Sequence, residues 1–156
     1  MTIQNKDDEI IEILKLIAPG TEIRQGLENI LKCIRGFTKG KIITVFGCGG
    51  DRDKSKRAEM GRIAGELSNI AVVTSDNPRT ENPLLIINDI LNGMEKTKAK
   101  LAIIENRRQA IEFALSKARR GDVVLLAGKG HETYQIIGNE KIHFDEREII
   151  KEYFKE

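Results

Sequence analysis

Hydrophobic residues along this chain follow two patterns, the three-to-four-residue period of an amphipathic helix and the short continuous run of a buried strand. The helical period marks segment 7–17, which Pro19-Gly20 terminates, and it returns in segment 24–37. A continuous run follows at 41–46, rich in β-branched residues and too short for a helix. The pattern therefore predicts two helices and then a buried strand.

The alternation of helices and strands continues to the C-terminus. The elements it predicts next are helix 54–67, strand 70–74, helix 83–93, strand 101–104, helix 107–119 and strand 122–127. Gly138-Asn139 between the apolar segments 134–137 and 141–144 indicates a hairpin, and Asp145 is suited to cap a last helix to Tyr153. This order predicts an α/β fold whose mostly parallel sheet has an antiparallel edge hairpin.

The composition narrows the classes of function. The 156 residues include 26 Lys and Arg against 24 Asp and Glu, and the net charge of +2 gives no basic excess for nucleic acid. No apolar run approaches the roughly 20 residues of a membrane helix, so we expect no membrane partner and a cytoplasmic location. Cys33 and Cys48 lack a CxxC spacing, so we expect two small core residues and neither a disulfide nor a metal site.

Three polar loops follow strands of the predicted sheet: 47–53, 75–79 and 128–132. Ligands of open α/β sheets bind where parallel strands deliver their carboxyl ends, and we expect the three loops to meet there. The glycines of the first loop suggest a dinucleotide fingerprint, but Arg52 stands at the third glycine position. The charges of Asp51 and Asp53 would also oppose a phosphate, so a nicotinamide or flavin site is disfavoured.

Two arginines indicate an anionic ligand. Pro78 restricts Asn77 to extended geometry, so Arg79 projects from a rigid turn and is suited to bidentate capture of a carboxylate. A lone Asn-Pro-Arg turn is more often a solvated surface feature. Arg52 on the neighbouring loop favours the functional interpretation, because two converging guanidinium groups need an anionic partner.

The third loop combines glycines with one carboxylate. It is not a phosphate loop, because the first glycine of that motif is missing and His131 stands where Ser or Thr would hold Mg²⁺. Its backbone and the carboxylate of Glu132 suit an ammonium group; alternatively, Glu132 pairs with Lys129 to hold the loop, and His131 is a loop histidine. With the two arginines, the loops predict a pocket for an amino acid that has more than one carboxylate, with no metal or cofactor in this chain.

The C-terminal domain of the Mur ligases has motifs that resemble three segments of this chain in the same order: Val45–Asp53, Thr74–Pro83 and Ala127–Gln135. The similarity covers about 26–153 and is greatest to the branch that adds meso-diaminopimelate during peptidoglycan assembly. It implies a Rossmann-like domain at 21–156, with helices on both faces, which receives the incoming amino acid. We expect a helical extension at 1–20 before this domain.

The resemblance also implies roles for single residues. Arg52, Asn77 and Arg79 would bind the distal carboxylate end of meso-diaminopimelate, and Gly128 and Glu132 its ammonium end. The set of substrate-binding residues is completed by Asp76. The accessory candidates are Asp51, Lys129 and His131.

The same resemblance suggests how such a domain works. ATP and Mg²⁺ are expected only for the full-length ligase, because we find no UDP-sugar domain and no ATPase phosphate loop here. We therefore expect no catalytic residue and no activity of the chain alone, and a separate Mur ligase catalytic core is a candidate partner. The alternative is a free-standing, non-catalytic module that binds diaminopimelate or a related cell-wall amino acid.

Overall fold

The computed structural model describes residues 2–4, 10–16 and 23–155. Its strands are β1 Thr2–Gln4, β2 Ile10–Leu16, β3 Ile42–Phe46, β4 Ile70–Val73, β5 Lys100–Ile103, β6 Val123–Ala127, β7 Tyr134–Ile137 and β8 Glu140–His143. Its helices are α1 Ile23–Phe37, α2 Ser55–Leu67, α3 Pro83–Leu91, α4 Arg107–Lys117 and α5 Glu146–Lys155. From α1 onward, the predicted elements are confirmed with small shifts at their ends.

Six strands form the main sheet in the order β1-β2-β6-β3-β4-β5. Within this sheet β1 runs antiparallel to β2, and the other neighbours pair in parallel. The central strands β3 and β6 are buried along their whole length. Because β3, β4 and β6 run in the same direction, the loops that follow them leave the sheet at one edge.

Helices cover both faces of the sheet. α1, α2 and α3 pack on one face through a core that includes Leu31, Ile63 and Ile90. α4 and α5 pack on the other face through residues such as Ile111 and Ile150. Consecutive strand residues supply opposite cores, which is why these strands are continuous apolar runs in the sequence. The Rossmann-like α/β fold class is confirmed.

The helix predicted over 7–17 is wrong in its described part. Residues Ile10–Leu16 form β2, which pairs in parallel with β6 along its length. The apolar positions of this segment fit either period, and without β2 one row of backbone groups on β6 would lack partners. Pairing with a distant strand therefore overrides the local helical pattern. The predicted extension 1–20 is therefore not helical over 10–16. Residues 7–9 and 17 of the predicted helix lie outside the described residues. The boundary between this extension and the domain stays a prediction.

The predicted hairpin is present, although it is not an edge of the main sheet. β7 and β8 pair as a separate two-stranded sheet, and β1 supplies the antiparallel edge instead. The hairpin is joined to the loop after β4 by a bridge between Arg79 and Ile137. It is drawn to that loop because the backbone and side chains there offer hydrogen-bond partners to β7. The hairpin thus supports one of the three polar loops.

Three helices begin at side-chain caps. Asn82 before α3, Asn106 before α4 and Asp145 before α5 each accept a backbone N–H of the first turn, at 2.9 to 3.0 Å. Such a cap contributes about 1 kcal/mol, because it satisfies a donor that the helix itself cannot. The cap predicted at Asp145 is confirmed.

The two cysteines differ in their surroundings. Cys48 packs partly against the core below α1 to α3, as predicted. Cys33 is exposed on α1, so the prediction of a core residue is wrong there. It lies between Leu31 and Ile34, which are the residues of that turn that face the sheet. A helical residue with apolar neighbours in sequence is therefore buried only if the helical period of 3.6 residues turns its own side chain towards the core.

Candidate functional site

The three polar loops meet at the predicted sheet edge around a cavity of about 470 Å³. All six predicted substrate-binding residues line it, namely Arg52, Asp76, Asn77, Arg79, Gly128 and Glu132. The wall is completed by the first loop and α2, including Gly47, Cys48, Gly49, Asp53, Lys56, Arg57 and Met60. The predicted convergence of the loops is therefore observed, and the residues' roles toward a ligand stay predictions.

Glycines allow the first loop to pack against the second. A Cβ at Gly47 would lie 2.3 Å from Thr74 O, and a Cβ at Gly50 would lie 1.8 Å from Pro78 O. Gly50 N also donates to Asn77 O at 2.8 Å. Both positions require glycine for this close approach, which explains the glycine-rich loop by packing alone.

Arg79 has a left-handed backbone conformation, with φ of 52°. Its N–H donates to Ile136 O at 3.1 Å and its carbonyl accepts from Gly138 N at 2.7 Å, so the hairpin holds this conformation. One guanidinium nitrogen donates to Gly50 O at 2.9 Å. A non-glycine residue pays about 1–2 kcal/mol in this region, which the hairpin contacts must offset. The arginine is therefore fixed before any ligand arrives.

Arg52 and Arg79 form the cationic side of the cavity. A Cβ at Gly49 would lie 3.0 Å from Arg79 Nη1 and 3.6 Å from Arg52 Cγ, so both side chains pass close to this glycine. Arg52 is exposed, and within the described part of the chain its guanidinium has no hydrogen bond or ion pair. This guanidinium is available to an anionic group in the cavity.

Asp76, Lys129 and Glu132 form the acidic side. Lys129 is buried, and its Nζ lies 3.0 Å from Asp76 Oδ1 and 3.3 Å from Glu132 Oε2. Nζ also donates to Asn77 Oδ1 at 2.5 Å. Two carboxylates against one ammonium leave a net negative charge on this side, which favours a second cation.

Asn77 joins the two sides of the cavity. The side chain is buried, with Oδ1 accepting from Ile136 N at 3.0 Å as well as from Lys129, and Nδ2 donating to Glu132 at 3.1 Å. Its backbone carbonyl accepts from Arg79 Nη1 at 3.4 Å. Asn77 therefore organises the site, and its predicted contact with a ligand carboxylate would use the remaining amide hydrogen.

The accessory candidates Asp51, Lys129 and His131 do not line the cavity. Asp51 accepts from Thr80 Oγ1 at 2.8 Å, and its N–H donates to Glu81 at 2.6 Å, so it fixes the first loop to the second. Lys129 lies beneath the acidic side, and His131 is exposed. The structure therefore brings Lys129 to the site as a buried support and leaves His131 outside it.

Arg57 is a site residue that the sequence analysis missed. It reaches from α2 with 1% of its surface exposed and donates to Gly49 O at 3.0 Å, to Glu81 at 2.7 Å and to Asp89 at 2.8 Å. Burial acts to lower the pKa of Arg57, and its hydrogen bonds to the Glu81 and Asp89 carboxylates outweigh burial, so the pKa is raised. A signal was available, because Arg57, Met60 and Ala64 share the buried face of α2 at helical spacing.

Two pKa shifts describe the surroundings of the cavity. The hydrogen bond from Arg57 lowers the pKa of Glu81 to about 2, with help from the Asp51 N–H. Burial raises the pKa of the Cys48 thiol to about 12, and the Asp76 carboxylate adds to the rise. The thiol therefore stays protonated at neutral pH and is not a nucleophile.

A second cavity, of about 810 Å³, lies between the hairpin, α4 and α5. Its wall combines isoleucines such as Ile103 and Ile142 with charged side chains such as Arg108 and Glu148. It contains none of the predicted site residues. We place the candidate site in the smaller cavity because the predicted site residues line it, with guanidinium groups on one side and carboxylates on the other.

Two further findings limit the chemistry. Among the described residues, no group of three or more His, Cys, Asp or Glu could hold a metal ion. None of the helices that the structure describes is long and apolar enough to cross a membrane.

The fold and this cavity define an α/β domain with a charged cavity at the carboxyl ends of parallel strands. Residues 24–130 match the family model described as Mur ligase, glutamate ligase domain. The chain belongs to this family, as the resemblance of its three motifs predicted.

Individual relatives give a narrower comparison. UDP-N-acetylmuramoyl-L-alanyl-D-glutamate--2,6-diaminopimelate ligase 1 of Clostridium acetobutylicum is 58% identical over 131 residues, which are 84% of this chain and 27% of that protein. The 2,6-diaminopimelate ligase of Gloeobacter violaceus is 50% identical over 150 residues, 96% of this chain and 30% of that protein. A solved structure of a UDP-N-acetylmuramoyl-L-alanyl-D-glutamate--2,6-diaminopimelate ligase superposes on this chain with a TM-score of 0.85 and 35% sequence identity. The match covers 99% of this chain and 31% of the chain in that structure. The chain spans less than a third of these relatives.

Proposed function

We propose that this chain is the amino-acid-binding domain of a peptidoglycan ligase and that its cavity takes meso-diaminopimelate. The observation that carries the proposal is that Arg52 and Arg79 lie on one side, and Asp76 and Glu132 on the other, of one cavity of about 470 Å³. The relatives support the same ligand, because their names specify 2,6-diaminopimelate.

The cationic side would bind the distal carboxylate. Arg79 is held by Gly50 O and by its backbone bridge to the hairpin, so little side-chain freedom is lost on binding. Arg52 lacks an ion pair among the described residues and would supply the second guanidinium. A carboxylate between two guanidinium groups gains charge-assisted, partly bidentate hydrogen bonds.

The acidic side would bind an ammonium group of the same ligand. Glu132 lines the cavity with 33% of its side chain exposed, and Asp76 with 14%. Gly128, with φ of 109°, brings the backbone close to the Asp76 carboxylate, as its Cβ position 3.7 Å from Asp76 Oδ2 indicates. An ammonium here would face two carboxylates and an adjacent peptide group.

Lysine would be the informative competitor. It shares the amino-acid head group of diaminopimelate but has no distal carboxylate, so Arg79 and Arg52 would stay without an anionic partner. A site built for a polar group rejects a ligand that lacks it, and we expect a preference of at least about tenfold for diaminopimelate.

In a full-length ligase, the domain would present this amino acid to the rest of the enzyme. ATP would transfer a phosphoryl group to an acceptor carboxylate and leave as ADP. An uncharged amine of the bound amino acid would then attack the acyl phosphate, forming the amide and releasing phosphate. The residues of this chain would contribute position and orientation, which lower the entropic part of the barrier. ATP and Mg²⁺ would be held by the other domains.

The proposal is tested by titrating the ¹⁵N-labelled chain with meso-diaminopimelate and with L-lysine and following amide shifts. We expect saturable shifts at 49–52, 76–79 and 128–132 that are stronger for diaminopimelate. Arg79→Ala should abolish the preference, whereas Arg62→Ala, which removes an exposed arginine of α2 outside the cavity wall, should keep it. Equal affinity of the wild type for both amino acids, or no binding of either, would overturn the proposal.

A further inference from the structure

We propose that Lys129 is a positioning residue, an internal cation that holds Asp76 and Glu132 at the ammonium end of the cavity and does not itself contact the ligand. This inference rests on the proposed function and adds to it the device that sets the charge of that end. It gives a specific role to a buried lysine that the sequence offered only as an accessory candidate and as a partner of Glu132.

The surroundings of Lys129 leave it no capacity for a ligand. A lysine is rarely fully buried unless it is paired, and Lys129 is 1% exposed. Its ammonium donates to Asn77 Oδ1 at 2.5 Å and to Glu132 Oε2 at 3.3 Å, and it forms an ion pair with Asp76 Oδ1 at 3.0 Å that lacks hydrogen-bond geometry. Because Lys129 is buried beneath these groups and does not line the cavity, a ligand carboxylate would not reach its ammonium.

The same contacts leave one oxygen of each carboxylate unused. Lys129 pairs with Asp76 Oδ1 by charge and with Glu132 Oε2 by a hydrogen bond, and Asp76 Oδ1 itself is buried without a hydrogen bond. The second oxygens, Asp76 Oδ2 and Glu132 Oε1, have no hydrogen bond among the residues that the structure describes. Both side chains line the cavity, and Asp76 Oδ2 is the atom nearest to the Cβ position of Gly128. Lys129 thus fixes one oxygen of each acid and leaves the other for a second ammonium.

The charges explain why an internal cation is needed. Two neighbouring carboxylates repel each other, and without a cation between them the pair would separate. With Lys129 between them, the three groups carry a single net negative charge. One ligand ammonium neutralises it, which favours a singly charged amine at this end.

Lys129 also sets the distance between two loops. It belongs to the loop after β6, whereas Asp76 and Asn77 belong to the loop after β4. Lys129 therefore links two loops at the carboxyl-end edge of the sheet that are far apart in sequence. Removing its charge should shift Glu132 relative to Asp76 even where the fold is retained.

The test is a double-mutant cycle measured by meso-diaminopimelate titration of four chains: wild type, Lys129→Met, Glu132→Gln and the double variant. Lys129→Met should weaken binding about tenfold or more in the wild-type background. In the Glu132→Gln background its effect should be at least about threefold smaller, because the main carboxylate it positions is already neutral. The matched control is Lys151→Met, which removes an exposed lysine of α5.

The outcomes separate this inference from the proposed function. A wild type that does not bind meso-diaminopimelate overturns both. A wild type that binds, together with Lys129→Met that binds equally well or loses the same factor in both backgrounds, overturns this inference alone. A merely structural lysine would lower the thermal midpoint and weaken binding by the same factor in both backgrounds, so additive losses count against positioning.

Discussion

Replacing Arg57 by methionine tests whether α2 holds the two cationic loops of the cavity in place. The guanidinium binds Gly49 O in the first loop and Glu81 just after the second, and Glu81 in turn accepts the Asp51 N–H. Arg57→Met keeps the apolar length of the side chain and removes every one of these donors. We expect a less stable chain and a weaker cationic side.

The magnitude follows from the burial of the three charges. Removing one partner of a buried ion pair costs about 3–5 kcal/mol, because the other charge is left without compensation. Here Arg57 is buried, whereas the side chains of Glu81 and Asp89 are 19% and 42% exposed and can regain water. The lower end of the range, about 3 kcal/mol, is therefore expected. For a domain of this size that loss lowers the thermal midpoint by about 6–12 °C.

The pH dependence gives an independent reading of the same network. Arg57 lowers the pKa of Glu81 from 4.5 to about 2, so this carboxylate binds a proton more readily in the unfolded chain. Its contribution to stability is present above pH 4.5 and is lost as the pH falls towards 2. In Arg57→Met the pKa returns towards its ordinary value, and this part of the acid sensitivity should disappear.

The assay is thermal denaturation followed by circular dichroism, at pH 7 and at steps from pH 5 to 2.5. Arg62→Met is the matched control, because Arg62 lies on the same helix and pairs with Glu59 and Glu66 at the surface. Surface pairs contribute at most about 1 kcal/mol, so the control should melt close to the wild type. A midpoint of Arg57→Met equal to that of the control, or an unchanged acid profile, would refute the reasoning.

Three further predictions concern the loops. Arg79→Ala should cost about 2–5 kcal/mol of meso-diaminopimelate binding by calorimetry if the carboxylate pair is buried; an unchanged affinity would remove Arg79 from the site. Glu132→Gln should weaken that binding and leave the thermal midpoint nearly unchanged; lost stability with wild-type affinity would mean a structural role alone. Gly50→Ala should destabilise the chain by more than about 2 kcal/mol in urea denaturation, because its Cβ would lie 1.8 Å from Pro78 O. At Gly36 no atom lies within 4 Å of the Cβ position, so Gly36→Ala should stabilise the chain by up to about 1 kcal/mol. Equal stabilities of the Gly50→Ala and Gly36→Ala variants would contradict these two predictions.

The fold was predictable where local pattern and tertiary structure agree. Strands buried on both faces are continuous apolar runs, and caps such as Asn106 mark where helices begin. Ile10–Leu16 was not predictable in this way, because its apolar positions fit both periods and its partner β6 lies at the other end of the sequence. The hairpin was recognised from its turn, but its place beside Arg79 depends on contacts that no local pattern encodes.

The site was predictable to the level of loops and less so to the level of contacts. Parallel strands must deliver their ends to one edge, so the position of the three polar clusters followed from the order of elements. The left-handed backbone of Arg79 did not, since it is imposed by Ile136 and Gly138 of the hairpin. Arg57 was missed because its partners Glu81 and Asp89 come from other elements, although its helical position indicated burial.

Glu132 shows how the structure changes a question that the sequence posed as a choice. The sequence offered two roles for this carboxylate, a ligand contact or a pair with Lys129 that holds the loop. In the structure Oε2 accepts from Lys129 and from Asn77, while Oε1 has no hydrogen bond within the described residues and the side chain lines the cavity. A carboxylate has acceptor sites on both oxygens, so the two roles are compatible. Glutamine keeps an acceptor for Lys129 and loses the charge, and its effect on binding therefore measures the ligand role separately from the structural one.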